Sequence, residues 1–289
     1  MKVFHGIDGT LPSGIKKSGI KSVVTIQSLI YKHFPEYYGW TERRETESDA
    51  LRACREADCI IATSECTKRD IMHFYDVDPS LIKVVHPGCE PSFQNVILDS
   101  EIDRVRSRFD LPSHYILSIG ALDERHNLEL TVRALQHIDD KDLRLIIVGH
   151  STPYYKKVKK LAIELGVGHR FYRVPQAHAA DLPILYHLAQ ATVYPNRYDP
   201  LGIPIIESLS CGTPAIGATG SGLEESGGEG CLYVDPDSVE QMTQAINAIT
   251  GNPTRRAALA EAGSKHIAQF APQAVADAMI EIYDQLLDS

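Results

Sequence analysis

Residues Ala191 to Ala218, ATVYPNRYDPLGIPIIESLSCGTPAIGA, set a strand, a loop, a helix start and a second strand around two carboxylates. Thr192, Val193 and Tyr194 form a short β-favouring run that Pro195 ends, and NRYDPLG is turn chemistry. A helix is expected from about Ile203, because Pro204 suits a first helical position, where its missing N–H costs nothing. Cys211 and Gly212 close that helix, and TPAIGA reads as the next strand. The stretch is therefore a β-α-β unit.

Asp199 lies on the loop before the helix and Glu207 in its opening turns, eight positions later. Both flank a helix N-terminus at the carboxyl end of a strand, where open parallel sheets bind ligands. Backbone N–H groups around Gly202 and Ile203 suit a phosphate, whereas a carboxylate suits sugar or ribose hydroxyls. Either carboxylate alone also fits a plain acidic helix start; the pair asks for a ligand carrying both phosphate and hydroxyls.

Asp199-Pro-Leu-Gly202-Ile-Pro204-Ile-Ile-Glu207-Ser-Leu-Ser-Cys211-Gly212-Thr213-Pro214 closely resembles the E-x7-E signature of the retaining family 4 glycosyltransferases. The resemblance implies a GT-B fold, in which two Rossmann-like domains face a cleft and the C-terminal one holds a nucleotide sugar. It further implies that Glu207 holds the ribose, that Asp199 contacts the donor sugar, and that Leu201, Gly202 and Ile203 line the donor side. Aspartate in place of the family's first glutamate keeps the charge and shortens its reach by one methylene.

The chain as a whole agrees with such a protein. Its 289 residues, 43% of them hydrophobic, suffice for two modest α/β domains with real cores. A formal charge of -9, from 38 acids against 29 bases, argues against general nucleic-acid binding, which needs a basic face. No apolar run approaches the ~18 residues of a membrane helix, and no signal-peptide core is seen at the N-terminus, so a cytoplasmic protein is expected. A peripheral place at the inner membrane face is compatible with that expectation. The six cysteines form no C-x-x-C pair and no zinc spacing with histidine, and read as reduced, buried small residues. The absence of G-x-G-x-x-G leaves a dinucleotide domain unsupported.

From the N-terminus, KVFHG, SVVTI, CIIAT and IKVVHPG read as strands, with helices over Glu42 to Glu56 and after the N-cap Ser64. This is the alternation of a parallel α/β sheet. His5-Gly6, Leu11-Pro12, Thr25-Ile26-Gln27-Ser28-Leu29, Ala57-Asp58, Ser64-Glu65 and Val85-His86-Pro87-Gly88 with Phe93 resemble the second half of the family's acceptor domain. Gln27 stands where the family carries a histidine. It either finishes a strand or hydrogen bonds an acceptor hydroxyl, and it carries no proton for acid-base chemistry. Four strands stand where the family has six or seven. A half sheet exposes an edge and an apolar face, and three closures fit: a second chain supplying the missing half, a homodimer, or a truncated start.

A polar helical connection around Asp99 to Asp110 leads to an expected domain boundary at Leu111-Pro112. Beyond it, strands YILSIG, LRLIIVG and RFYRV alternate with helices over Asn127 to Ile138, Tyr154 to Leu165 and Ala180 to Ala189. CLYVD then precedes helices over Val239 to Thr250, Thr254 to Phe270 and Gln273 to Leu287. The expected organisation is a partial N-terminal acceptor-side domain over 1–110 and a complete doubly wound nucleotide-sugar domain over 111–270. The helix over 271–289 carries an apolar packing stripe, and the resemblance implies that it crosses back to the N-terminal domain.

The first β-α turn of the second domain, Gly120-Ala-Leu-Asp-Glu-Arg125-His126-Asn127, resembles the family's diphosphate loop, with His126 in place of its lysine. The resemblance implies Arg125 as the fixed cation on the diphosphate. His126 would be mostly neutral near pH 7 unless phosphates raise its pKa, and Arg125 also fits a solvated loop charge. Gly149 after a strand, Val174 near the base, and Glu225 below the ribose complete the implied donor set; Glu225 equally suits a turn cap. The implied activity is retaining transfer of a mannose- or glucose-type sugar from a nucleoside diphosphate donor to a hydroxyl on a saccharide or lipid-linked acceptor, in polysaccharide or glycolipid assembly. Neither a metal nor another cofactor is implied. The rival from another class is a partner-dependent, non-catalytic subunit that keeps the nucleotide cleft. An epimerase on the same fold matches the acidic loop less well.

Overall fold

The computed structural model describes residues 2–175 and 177–288. The chain divides into two compact units. One contains the residues up to Gly88 with Asp199–Leu201 and the residues from Gln269 on; the other contains Cys89–Tyr198 and Gly202–Ala268.

The first unit is built on four parallel strands in sequential order, β1 (Val3–Gly6), β2 (Lys21–Ile26), β3 (Cys59–Ala62) and β4 (Ile82–Val84). Continuous apolar runs form β2 and β3 because both faces of this sheet are covered. Val24, Ile60 and Ala62 point to one core, which they share with Ala53 and Ile71. Those partners belong to α2 (Trp40–Glu56) and α3 (Glu65–Tyr75), which follow a short α1 (Ile30–His33). The Ser64 side chain accepts the Thr67 N–H at 2.9 Å and so starts α3 as a side-chain N-cap does.

The second unit opens with α4 (Asp99–Phe109) and continues through β5 (Tyr115–Ile119), α5 (Leu128–Ala134), β6 (Arg144–Val148), α6 (Pro153–Glu164) and β7 (Phe171–Val174). Then follow α7 (Leu182–Leu188), β8 (Ala191–Tyr194), α8 (Ile203–Ser210), β9 (Ala215–Ala218), α9 (Leu223–Gly227) and β10 (Cys231–Val234). The unit ends with α10 (Val239–Thr250) and α11 (Pro253–His266). Its six parallel strands run in the order β10-β9-β8-β5-β6-β7. The chain thus winds outward from β5 through β6 and β7, then returns beside β5 with β8 and winds the other way. That reversal leaves a crevice at the carboxyl ends of β5 and β8, the switch point where doubly wound sheets bind ligands.

The helix expected over Asn127 to Ile138 ends at Ala134, and two further segments differ from the sequence expectation. Gly220 to Glu225, read as a loop, contains the start of the short α9. The helix expected to reach Phe270 stops at His266 and tightens into a 3-10 turn over Ile267–Phe270. Pro272 follows, and the residue before a proline is pushed out of the α conformation.

The final helix, α12 (Pro272–Asp288), belongs to the first unit. Ile282 packs with Val23, Cys59, Ile61 and Val85, against the face of the four-stranded sheet opposite α2 and α3. A ring nitrogen of His5 lies 2.7 Å from the Tyr283 hydroxyl and the other 2.7 Å from the Thr25 hydroxyl, which ties α12 to β1 and β2. The apolar face of the half sheet is therefore covered by the chain's own last helix. None of the six cysteines is in a disulfide. Burial pushes the Cys59 thiol up to about 11, which keeps it protonated and unreactive near neutral pH.

Candidate functional site

Two loops meet at the switch point of the second unit. The first follows β5 and closes as a 3-10 turn over Glu124–His126. Gly120 begins it at φ 142, and a Cβ there would stand 2.6 Å from His126 Nε2, so only glycine lets the ring lie against the backbone. His126 is buried and meets Tyr194 edge to face at 5.9 Å. Asp123 organises the turn: its Oδ1 accepts from the Arg125 N–H at 3.0 Å and lies 3.0 Å from His126 Nδ1. Its Oδ2 accepts from Arg125 Nη2 at 3.2 Å. Burial disfavours the Asp123 charge, but His126 and Arg125 outweigh it and hold the carboxyl below its usual range. Arg125 therefore sits at the crevice with its guanidinium steered by Asp123.

Asn127 takes the left-handed conformation at φ 50 as the turn passes into α5, a role that asparagine tolerates. It is buried, and its Nδ2 donates to the Pro236 carbonyl at 2.7 Å, binding the loop after β5 to the loop after β10.

The second loop follows β8. The Arg197 N–H donates to the Arg125 carbonyl at 2.9 Å, which fastens one loop to the other. Gly202, at φ 76, is the N-cap of α8, with Pro204 in the first turn. A Cβ at Gly202 would stand 2.4 Å from Leu223 Cδ2, so glycine permits both the turn and the close approach of α9. Ile203 is exposed at the first position of the helix. Glu207 is held differently. Its Oε2 accepts from the Tyr186 hydroxyl at 2.7 Å, and Tyr186 is fully buried in α7. Burial pushes the Glu207 carboxyl up, with nearby Glu90 adding to the shift and Tyr186 opposing it.

Of the other donor-side residues expected from the sequence, Gly149 follows β6 and its carbonyl accepts from Arg173 Nη1 at 3.2 Å. Val174 ends β7 and is buried, paired with Val148. Glu225 lies in α9, where its carbonyl is 2.9 Å from His266 Nε2. Arg125, His126, Asn127, Gly202 and Glu207 thus belong to the elements that begin at the carboxyl ends of β5 and β8, whereas Val174 is a core residue at the end of β7.

Asp199 and Leu201 group with the first unit. Within that segment Asp199 Oδ1 accepts the Leu201 N–H at 3.1 Å, and Leu201 is buried. Gln27 is exposed at the carboxyl end of β2, and its Nε2 donates to the Ile7 carbonyl at 3.1 Å. It borders a cavity of about 640 Å³ that Asp8, Tyr31, Tyr38, Glu42 and Asp49 also line.

Two residues of the second unit's site escape the sequence reading. Tyr186 sits in an apolar helix, and nothing in the local pattern marks its hydroxyl as the partner of a glutamate 21 positions away. Arg197 lies in the quoted NRYDPLG turn, where its position in the loop before the helix was the available signal.

Known proteins share this sequence pattern and this fold. The family model described as glycosyl transferases group 1 matches residues 99–266, and that of Glycosyltransferase Family 4 matches residues 5–93. The chain is 26% identical over 257 residues to D-inositol 3-phosphate glycosyltransferase of Corynebacterium aurimucosum, covering 82% of this chain and 60% of that protein. The enzyme of the same name from Corynebacterium glutamicum is 27% identical over 259 residues, covering 83% of this chain and 62% of that protein. The chain thus spans about 60% of the length of these curated relatives. Among solved structures, sucrose-phosphate synthase from Thermosynechococcus elongatus superposes with a TM-score of 0.82 at 23% identity, over 99% of this chain and 74% of that one. Anabaena Alr3699/HepE in complex with UDP and glucose gives 0.78 at 19% identity, over 92% and 72%. The fold is that of the GT-B glycosyltransferases.

Proposed function

The chain belongs to the glycosyl transferases group 1 family, and on that premise we propose that it transfers a mannose- or glucose-type sugar from a nucleoside diphosphate to an acceptor hydroxyl with retention. The observation that carries the proposal is the pairing, at one switch point, of a cationic turn after β5 with a half-buried, tyrosine-held carboxylate on the helix after β8. Glu207 grips the ribose hydroxyls: Tyr186 occupies one carboxylate oxygen and fixes the direction of the other. Arg125 and backbone N–H groups near Gly120 and Gly202 stabilise the departing diphosphate, an electrostatic contribution that grows as the bond breaks. Asp199 is the carboxylate assigned to the sugar.

In the transfer step the bond from the anomeric carbon to the diphosphate oxygen breaks, and its electron pair leaves with the diphosphate. The acceptor oxygen bonds the same carbon on the same face, and its proton passes to the departing phosphate oxygen. The reaction needs no metal in this reading, because Arg125 and the backbone donors meet the leaving charge. The first unit takes a saccharide or lipid-linked acceptor, with Gln27 hydrogen bonding a hydroxyl. The setting is polysaccharide or glycolipid assembly in the cytoplasm, at or near the inner membrane face. No helix among the described residues is long and apolar enough to cross a membrane.

Calorimetry of the purified chain against GDP, UDP and ADP, with Glu207→Ala as control and light scattering on the same sample, tests the donor site. Saturable binding of one diphosphate that Glu207→Ala abolishes supports it. A folded chain that binds none of the three rules it out.

A second reading, a companion subunit active only with another chain or as a homodimer, is favoured by the position of β1 at an open edge of the four-stranded sheet. Sugar transfer by the isolated monomeric chain would eliminate it.

A further inference from the structure

Arg125 does not carry its charge alone into the crevice. Asp123 of the same turn already engages the Arg125 guanidinium at 3.2 Å, while Glu124, paired with Lys157 Nζ at 3.6 Å, is a second carboxylate there. A multiply charged diphosphate needs more compensation than that. His126 does not add it from the surface, since the ring is buried between Gly120 and Tyr194 with Nδ1 on Asp123.

Arg197 is placed to do so. Its backbone is fastened to Arg125, and its Nη2 reaches Asn127 Oδ1 at 3.5 Å and Asp237 Oδ1 at 2.7 Å. Its partner Asp237 is 73% exposed and Arg197 itself 42%. An ion pair this open to solvent is weak, and a guanidinium exchanges such a partner readily for a better one. A phosphate offers oxygens that match the guanidinium fork.

Resting on the donor-site reading above, the geometry points to Arg197 as the second cation of the diphosphate site, held by Asp237 until the nucleotide takes it. Asp237 is then a competitor of the phosphate, and removing its charge strengthens binding. A merely structural latch between the loops after β8 and β10 makes the opposite demand, because cutting it from either side loosens the site.

The test is calorimetry of wild type, Arg197→Ala, Arg197→Lys, Asp237→Asn and the Arg197→Ala/Asp237→Asn double variant, each titrated with UDP, GDP and ADP. For the nucleotide that wild type binds, Arg197→Ala is expected to weaken affinity ~10–100-fold, the range for hydrogen bonds to charged groups. Arg197→Lys should recover part of that loss. Asp237→Asn should tighten binding by up to ~5-fold, and this gain should vanish in the double variant. Wild-type affinity in Arg197→Ala overturns the inference while leaving the donor site intact. Weakening by Asp237→Asn also overturns it, in favour of the latch. Failure of wild type to bind any of the three overturns the donor-site reading and this inference with it. Should Arg197→Ala fail to fold, the exposed Asp237→Asn by itself decides between the competitor and the latch.

Discussion

The Tyr186 hydroxyl, fully buried in α7, donates a 2.7 Å hydrogen bond to Glu207 Oε2 on α8. The bond spans adjacent helices and leaves a half-buried carboxylate with one oxygen committed and one available. Such a carboxylate costs stability when charged, and Tyr186 offsets part of that cost.

Glu207→Gln separates stability from function. The raised Glu207 pKa means that the folded chain holds this proton more tightly than the unfolded chain. The protonated group's contribution is present below the ordinary carboxyl value and is lost as pH rises through the folded value. Removing the titration should therefore leave the variant at least as thermostable as wild type at pH 8, with its advantage shrinking toward pH 4. Diphosphate affinity should fall ~10–100-fold. Melting curves across pH with parallel calorimetry check both; a variant that melts lower at pH 8 contradicts the assignment.

Gly120→Ala should destabilise the second unit by about 1–3 kcal/mol, since the new Cβ meets His126 Nε2 at 2.6 Å and the φ of 142 disfavours any side chain. Adding His126→Ala should recover only the part of this loss due to the clash, because the backbone strain persists. Urea denaturation of the single and double variants measures the split.

Asp181 is buried between two cations of α4, with Arg104 Nη1 at 2.7 Å and Arg108 Nη1 at 2.8 Å. Burial works against its charge, but Arg104, the His178 N–H and Arg108 prevail and hold the carboxyl below its usual range. That contribution is present above the unfolded carboxyl value and disappears as pH falls through the folded one. Asp181→Asn should cost about 1–3 kcal/mol at pH 7, because the two arginines it leaves behind are partly exposed and water can solvate them. The gap to wild type should narrow below about pH 4, where the unfolded carboxyl takes up its proton. A pH-independent gap in urea midpoint would show that the pair contributes shape rather than charge.

Chelation should leave the donor site working. If Arg125 and backbone donors carry the leaving charge, excess EDTA will change neither diphosphate affinity nor transfer by more than about twofold, well under the tenfold that 1.36 kcal/mol represents. Activity lost to EDTA and restored by magnesium or manganese would put a metal in the site and overturn the metal-free reading.

Much of the fold was legible because its signals are local. Ala191–Tyr194, Ile203–Ser210 and Ala215–Ala218 sit where β-branched runs, Pro204, Gly202 and Gly212 place them. Val239–Thr250 begins at the Ser238 cap, which accepts the Gln241 N–H at 3.2 Å. Less visible was the start of α9 inside a glycine-rich stretch, where a single turn forms because Leu223 packs into the core beside Ile205. His126 reads as a loop residue beside a phosphate-binding arginine; its burial follows from Gly120 lacking a Cβ and from Tyr194 on the neighbouring strand.

By itself, the sequence determined the strands and most of the helices, many of the caps and glycines that bound them, and which charged residues stand on the loops at the ends of β5 and β8. Those outcomes depend on periodicity, backbone freedom and neighbours within a few positions. The tertiary structure alone decided that Tyr186 holds Glu207, that Arg197 links Arg125 to Asp237, and that α12 covers the face of the first sheet. Each joins residues distant in the chain, and strand order with helix packing brings them within hydrogen-bonding or van der Waals reach.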